Sequence, residues 1–238
     1  MAKPHHPLNV HGEPRAFFGR RSGKRLHKGQ DALYRDLLPK LEIGFRDQAD
    51  RLAPLVPFAN PEAPLHLEIG YGGGEHLARL AMENPAVNFM GAEVFSGGIA
   101  KLLEKIDENG VENIRLYTFD ALPLLADMAD ASLDAAYLLY PDPWPKSRHH
   151  KRRFVSPTTL AELARVLKPG AVFRFATDIE DYANWTLAHI LREPRFRFAP
   201  KEPGSWHEPY SGWEPTRYEQ KARREGRALS FYFEFARV

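Results

Sequence analysis

Six short apolar or β-branched runs alternate with longer helix-like stretches along this chain: LHLEI (65–69), VNFMGAEV (87–94), NIRLYTF (113–119), LDAAYLLY (133–140), AVFRFATD (171–178) and LSFYFEFARV (229–238). The helical stretches between them fall at 75–83, 97–109, 121–129, 157–167 and 180–192. Strand, helix and strand in repeated succession is the pattern of βαβ units, which close as a parallel sheet with helices on its faces. The helix at 157–167 is the best punctuated, with Ser156 as its cap, Pro157 in its first turn and Lys168-Pro169-Gly170 as its stop. LSFYFEFARV alternates strongly, aromatic on one side, and so suits an antiparallel partner near a sheet edge.

At 238 residues the chain has room for one α/β domain with an ample core. Two segments stand apart. Residues 1–30 carry Arg15, Arg20, Arg21, Lys24, Arg25 and Lys28 with no acid between Glu13 and Asp31, and are expected to form a mobile basic arm. Residues 31–238 then make a single domain, with a loop and short helix at about 201–227 inserted before the last strand. Zero cysteines exclude a disulfide framework, a thiolate nucleophile and Cys-ligated zinc or iron–sulfur sites. His5, His6 and His11 fall in the arm, without carboxylates at ligand spacing, so no metal site is expected. The start lacks the apolar stretch of a signal peptide and no run is long enough to span a bilayer, which predicts a cytoplasmic protein.

After the first strand comes Leu67-Glu68-Ile69-Gly70-Tyr71-Gly72-Gly73-Gly74-Glu75, leading into a helix. Such a turn brings backbone N–H groups close to a ligand. A dinucleotide fingerprint starting at Gly70 and Gly72 would need a third glycine where the chain has Glu75. Glu68 and Glu75 also bracket the turn with negative charge, which disfavours a diphosphate and suits a cation such as S-adenosylmethionine. Glu93 ends the second strand, where an acid can accept ribose hydroxyls, and Asp120 ends the third, where it could accept from an adenine amino group. Either alone is equally well a helix cap or a solvated carboxylate. Several acids at successive strand ends beside a glycine turn favour the ligand, because open α/β sheets bind there.

The fourth strand runs into Tyr140-Pro141-Asp142-Pro143-Trp144-Pro145-Lys146-Ser147-Arg148-His149-His150-Lys151-Arg152-Arg153. Proline restricts the residue before it, so Asp142 and Trp144 are expected in extended geometry, in a rigid loop fit for catalysis. The basic run directly behind it has the density of a phosphate-binding segment.

LEIGYGGGE, GAEV, PDPWPKSRHHKRRF, the ATD at the end of the fifth strand and TRYEQKARREG near the C-terminus together resemble the tRNA (guanine-N7-)-methyltransferases of the TrmB type. GRRSGKRLHKGQ in the arm is similar to that family's basic segment, while Ile179 stands where the family often has Trp. The resemblance implies a Rossmann-like, doubly wound, mostly parallel seven-stranded sheet with an antiparallel C-terminal strand. It also implies S-adenosylmethionine as cofactor and tRNA as partner, with methyl transfer to N7 of the variable-loop guanosine. No obligate protein partner is implied, and a monomer or a homodimer would fit. By resemblance Glu68, Gly70, Gly72, Glu93, Asp120 and Asp142 bind the cofactor, and Asp142 is also the catalytic residue. Lys146, Asp178, Thr216, Arg217, Tyr218 and Glu219 match substrate positions, and Arg148, His149, His150, Lys151, Arg152 and Arg153 an RNA-contacting segment.

Guanine N7 has a lone pair and no proton, so its methylation needs alignment and charge stabilisation rather than a base. On this reading Asp142 orients the guanine, Asp178 and Glu219 accept from its N1–H and amino group, and Trp144 or Tyr218 stacks on it. Trp206, Tyr210 and Trp213 form a lid or simply cover the sheet edge. A methyltransferase for a small molecule or a protein would not need the basic block. A non-enzymatic RNA-binding module would not need the acids. The net charge of +2, from 33 basic and 31 acidic residues, hides two populations: acids at the sheet edge, and base in the arm, the Lys146–Arg153 block and the C-terminal run.

Overall fold

A computed structural model of the protein describes residues 19, 21–45, 52–54, 56–198, 200, 202, 204–226 and 229–238. Helices α1 (Lys28–Asp36) and α2 (Leu38–Leu41) and the antiparallel pair β1 (Ile43–Phe45) and β2 (Leu52–Pro54) come first. The alternating core follows as β3 (Leu65–Ile69), α3 (Glu75–Glu83), β4 (Asn88–Ala92), α4 (Ser96–Asn109), β5 (Ile114–Tyr117), α5 (Ala121–Asp127) and β6 (Leu133–Leu139). It continues through a 3-10 turn at Ser147–Arg152 to α6 (Pro157–Val166), β7 (Leu167–Thr177), α7 (Glu180–Ile190) and β8 (Phe196–Phe198). A second 3-10 turn (Ser205–His207), α8 (Arg217–Arg224) and β9 (Phe231–Arg237) complete it.

Seven strands form one sheet in the order β5-β4-β3-β6-β7-β9-β8, with β9 antiparallel to both neighbours and the other pairs parallel. Connections run outward from β3 to one side and from β6 to the other, so the chain direction switches between these two strands. Strands buried on both faces read as continuous apolar runs, which is why NFMGA of β4 is buried throughout. Leu77, Ile99, Leu102 and Leu103 of α3 and α4 pack on one face together with Leu38 and Leu41. Leu124, Leu160, Leu163 and Tyr182 of α5, α6 and α7 pack on the other.

The mostly parallel seven-stranded sheet with its antiparallel C-terminal strand matches expectation, and so do the six strands and five helices read from periodicity. Ser156 caps α6 by accepting from the Thr159 N–H at 3.3 Å. α6 stops at Val166, directly ahead of Lys168-Pro169-Gly170 as expected, with no loop between helix and strand. β7 begins at Leu167 and carries these residues as a bulge, with the register to β6 shifting between Leu133 and Ala135 and Gly170 at φ 85°. β9 lies one strand in from the edge, and the edge itself is the three-residue β8. β8, α2, β1 and β2 carry too few residues to show a period, and α1 buries none of its residues, which is why pattern reading passes over them.

Aromatic packing closes the antiparallel end, where Phe233 stacks on Phe175 with centroids 6.1 Å apart and planes at 12°. Both rings are fully buried. Phe233→Ala is expected to lower the unfolding free energy by about 3–5 kcal/mol, read from denaturant titration, since the neighbours cannot close the hole.

Candidate functional site

A cavity of about 440 Å³ opens at the C-terminal ends of β3, β4, β5 and β6, where the strand order reverses. Gly70, Gly72, Glu93, Asp120, Asp142 and Trp144 all line it. Gly70 and Gly72 have φ of 70° and 55°, a left-handed conformation that favours glycine, and a Cβ on either would meet nothing within 4 Å. The backbone therefore faces open space. The turn is held from behind: at Gly98 of α4 a Cβ would fall 2.3 Å from the Gly72 carbonyl oxygen, so only glycine lets the helix approach this closely.

Glu93 fixes the turn from the next strand. Its Oε2 accepts from the Gly72 N–H at 2.9 Å, and its Oε1 accepts from Val94 and Phe95 at 2.7 and 2.9 Å. Burial raises its pKa above the ordinary 4.5, the three N–H donors oppose that, and the nearby Asp142 charge adds to it. Asp120 serves two ends, capping α5 by accepting from Leu122 N–H at 3.1 Å while lining the cavity. Phe95, Phe119, Tyr140, Phe154, Arg152 and Gly19 also line the wall. Sequence reading did not single out Phe95, Phe119 or Tyr140 there, although each sits within two residues of a strand end it had marked.

Asp142 is solvent-exposed in a loop whose neighbours are strained. Tyr140 and Trp144, each preceding a proline, have φ of 50° and 43°. Trp144 is thus not extended as expected. Proline disfavours the right-handed helical region for its predecessor without prescribing one alternative. Contacts choose here: the Trp144 ring meets His149 edge-on at 6.1 Å and lies beneath the Arg152 guanidinium at 4.9 Å.

The basic block divides. Lys146, Arg148 and Lys151 are exposed on or beside the 3-10 turn, and Arg152 reaches the cavity wall. Partial desolvation, and then the four surrounding cations, lower the pKa of His149. His150 packs edge-on against Trp185. Arg153 departs from the phosphate-contacting role expected of it. It is 1% exposed, donates to the Pro143 carbonyl at 2.8 Å, pairs with Asp181 and lies over the rings of Tyr182 and Trp185. A buried guanidinium in contact with four groups anchors the loop.

The C-terminal insertion comes to the same rim. Thr216 caps α8 by accepting from Glu219 N–H at 3.1 Å, and Arg217 is exposed at the first position of that helix. The Tyr218 hydroxyl donates to Asp178 at 3.3 Å, and its ring lies 5.2 Å from that of Tyr140 in the cavity wall. Glu219, expected to meet the substrate, is instead 1% exposed. Its carboxylate accepts from the Tyr232 hydroxyl at 2.6 Å, from Trp213 Nε1 at 3.0 Å and from Arg223, so it braces the insertion. Glu68 likewise does not line the cavity. Alternation along β3 turns it away from Ile69, and it is 3% exposed with its carboxylate 2.8 Å from His76 Nδ1. Arg15 and Arg20 of the arm lie outside the described residues, as do His5, His6 and His11. Further along, the Arg21 carbonyl accepts from Ser96 N–H at 3.0 Å, His27 caps α1, and α1 is under way by Lys28.

Arg153→Ala is expected to lower the unfolding free energy by about 3 kcal/mol, because it leaves a cavity where the buried side chain stood and strips the Pro143 carbonyl of its donor. Arg148→Ala should change it by less than about 0.5 kcal/mol. Thermal unfolding of the two variants separates the anchor from the exposed cation.

Comparison with known proteins bears on the whole of this arrangement. Residues 62–231 match a family model described as "Putative methyltransferase". The tRNA (guanine-N(7)-)-methyltransferase of Brucella anthropi is 48% identical over 231 residues, covering 97% of this chain and 97% of its own. That of Agrobacterium fabrum is 49% identical over 223 residues, covering 93% and 95%. Among solved structures, the 16S rRNA methyltransferase KamB superposes with a TM-score of 0.53 at 16% identity, over 82% of this chain and 98% of that one. The aminoglycoside resistance methyltransferase NpmB1 gives 0.52 at 14%, over 74% and 87%. These two likenesses speak to the fold alone. Nearly half its residues, over almost the full length of both chains, are shared with the bacterial relatives, and the chain belongs to the TrmB-type tRNA (guanine-N7-)-methyltransferase family.

Proposed function

We propose that the protein transfers a methyl group from S-adenosylmethionine to N7 of the variable-loop guanosine of tRNA, forming 7-methylguanosine. The observation that carries this reading is a separation of charge. Glu93, Asp120 and Asp142 line one cavity, and the turn that bears Arg148, Lys151 and Arg152 follows directly on its Asp142–Trp144 wall.

The residues present fit the cofactor. Gly70 and Gly72 offer bare backbone to the cavity, acids suit a ligand bearing a sulfonium and an amino group, and Phe95 and Phe119 give aromatic surface for a purine. When bound, S-adenosylmethionine supplies the electrophilic methyl group. The chain's own task is placement. Asp142 orients the guanine and stabilises the positive charge that develops on its ring. Asp178, with Tyr218 beside it, accepts from the guanine N1–H and amino group, an edge that adenine does not offer. Lys146, Arg148, Lys151 and Arg152 take RNA phosphates, with Arg217 on the facing insertion. Arg153, through Pro143, keeps the Asp142 loop in place.

Incubation with unmodified tRNA and labelled donor, followed by nucleoside analysis, should yield 7-methylguanosine; label in another nucleoside, or none, overturns the reading. Asp142→Ala should slow transfer about 100-fold to 1000-fold, the loss typical of removing one electrostatic contact to a transition state. Its exposed position predicts a thermal midpoint within about 2 °C of the parent.

Glu93 gives a pH signature. With its pKa raised above 4.5, the ligand-free protein holds a proton on Glu93 through the window between that value and the raised one. A cationic cofactor favours the carboxylate and must expel the proton, so its affinity should fall as pH drops through the window and stay level above it. Calorimetry of cofactor binding against pH checks this, and Glu93→Gln should bind more weakly with a flat profile.

A further inference from the structure

Glu68 and His76 are buried polar groups, at 3% and 5% exposure. Together they tie the end of β3 to the start of α3. Glu68 is two residues before the glycine turn, and His76 is in the first turn of α3 just after it. Nδ1 of His76 lies 2.8 Å from Glu68 Oε2, and Nε2 lies 3.3 Å from the hydroxyl of Tyr210 in the insertion. A carboxylate oxygen accepts, so Nδ1 donates to Glu68, while Nε2 and the Tyr210 hydroxyl share the second hydrogen bond. The imidazole is thereby bonded at both ends to parts of the fold that are 142 positions apart (210 − 68).

From Tyr210 the contacts lead to the substrate side. The Trp213 ring packs on those of His76 and Tyr210, at 5.7 and 5.1 Å, and its Nε1 donates to Glu219. Glu219 follows Tyr218, whose hydroxyl donates to Asp178. Every link is a hydrogen bond, a ring contact or a neighbouring residue. α3 grips the insertion a second time, independently of Glu68, where Arg79 donates to the Gly212 carbonyl at 3.1 Å.

We propose that the Glu68–His76–Tyr210 chain makes His76 a positioning residue, coupling the glycine turn to the 205–219 segment so that filling the cofactor cavity fixes Tyr218 and Asp178 at its rim. His76 thereby links the end of β3 that bears Glu68, two residues ahead of the glycine turn, to the insertion. This inference rests on the reading that the cavity takes S-adenosylmethionine.

Two variants cut the chain at the same bond, and Tyr210→Phe also spares the packing. Tyr210→Phe removes the hydroxyl but leaves the ring under Arg174, whose guanidinium lies 4.5 Å from its centroid. His76→Asn keeps a donor for Glu68 where Nδ1 stands and loses the ring together with the nitrogen that meets the Tyr210 hydroxyl. The probe is S-adenosylhomocysteine, with amide hydrogen exchange as the readout, so no turnover is needed. In the parent protein the probe should slow exchange across 205–219. In either variant that slowing should vanish while the probe's affinity, by calorimetry, stays within about twofold. The KM for tRNA should rise about fivefold in each, as for one lost hydrogen bond, and the double variant should add nothing further. Arg79→Ala, by contrast, should speed exchange in the segment with and without the probe and keep the difference between them. Probe binding with unchanged protection in the parent, or protection retained in Tyr210→Phe and His76→Asn, overturns the coupling and leaves the functional reading standing. Failure of the parent to bind the probe overturns both.

Discussion

A parallel sheet delivers all its strand C-termini to one edge, and where its connections diverge no crossing segment covers the gap between the two central strands. Here that gap lies between β3 and β6, and almost everything functional about the molecule follows from it. The glycine turn, the Glu93 carboxylate, the Asp120 cap and the Asp142 loop belong to four different strand ends. The fold gathers them without any of them being near another in sequence. Each acid is also tied to backbone or framed by prolines, so the cavity's negative wall is fixed before any ligand arrives. Preorganisation of that kind spares the reorganisation that solvent would otherwise have to undergo.

Charge is layered around the same gap. Acids lie within the cavity and exposed cations on the surface behind Trp144, so a near-neutral total conceals a strong local field. The layering has its own internal supports. Arg153 and Glu219 both belong to charged runs that read as ligand-facing, yet both are buried and bond to other parts of the protein. One anchors the loop that bears Asp142, the other the helix that presents Tyr218.

How much of this could be read from residue order differs by scale. Strands such as LHLEI and the helix at 157–166 declare themselves through period and caps, because burial on a face repeats along the chain. The acids at strand ends are legible for the same reason: once the strands are placed, their last residues have nowhere to go but the edge. What escapes is set by contacts made across long separations. Nothing local distinguishes Arg153 from Arg152, yet one sits among Pro143, Asp181, Tyr182 and Trp185 and the other over Trp144. Glu68 and Ile69 are neighbours sent to opposite faces by strand alternation, so a motif that names both cannot say which one meets a ligand. The bend at Trp144 belongs with these, since proline restricts its predecessor and tertiary contacts settle what remains.

The two left-handed residues flanking Asp142 bear on how this chain could change. Tyr140 and Trp144 hold conformations that cost bulky L residues of the order of 1–3 kcal/mol each, and glycine would relieve that cost at either position. Relief would come by loosening the segment between them, which is where the carboxylate is held. A substitution chosen at either position for stability alone would therefore act first on the placement of Asp142, which ties the ease of folding here to the geometry of the cavity wall.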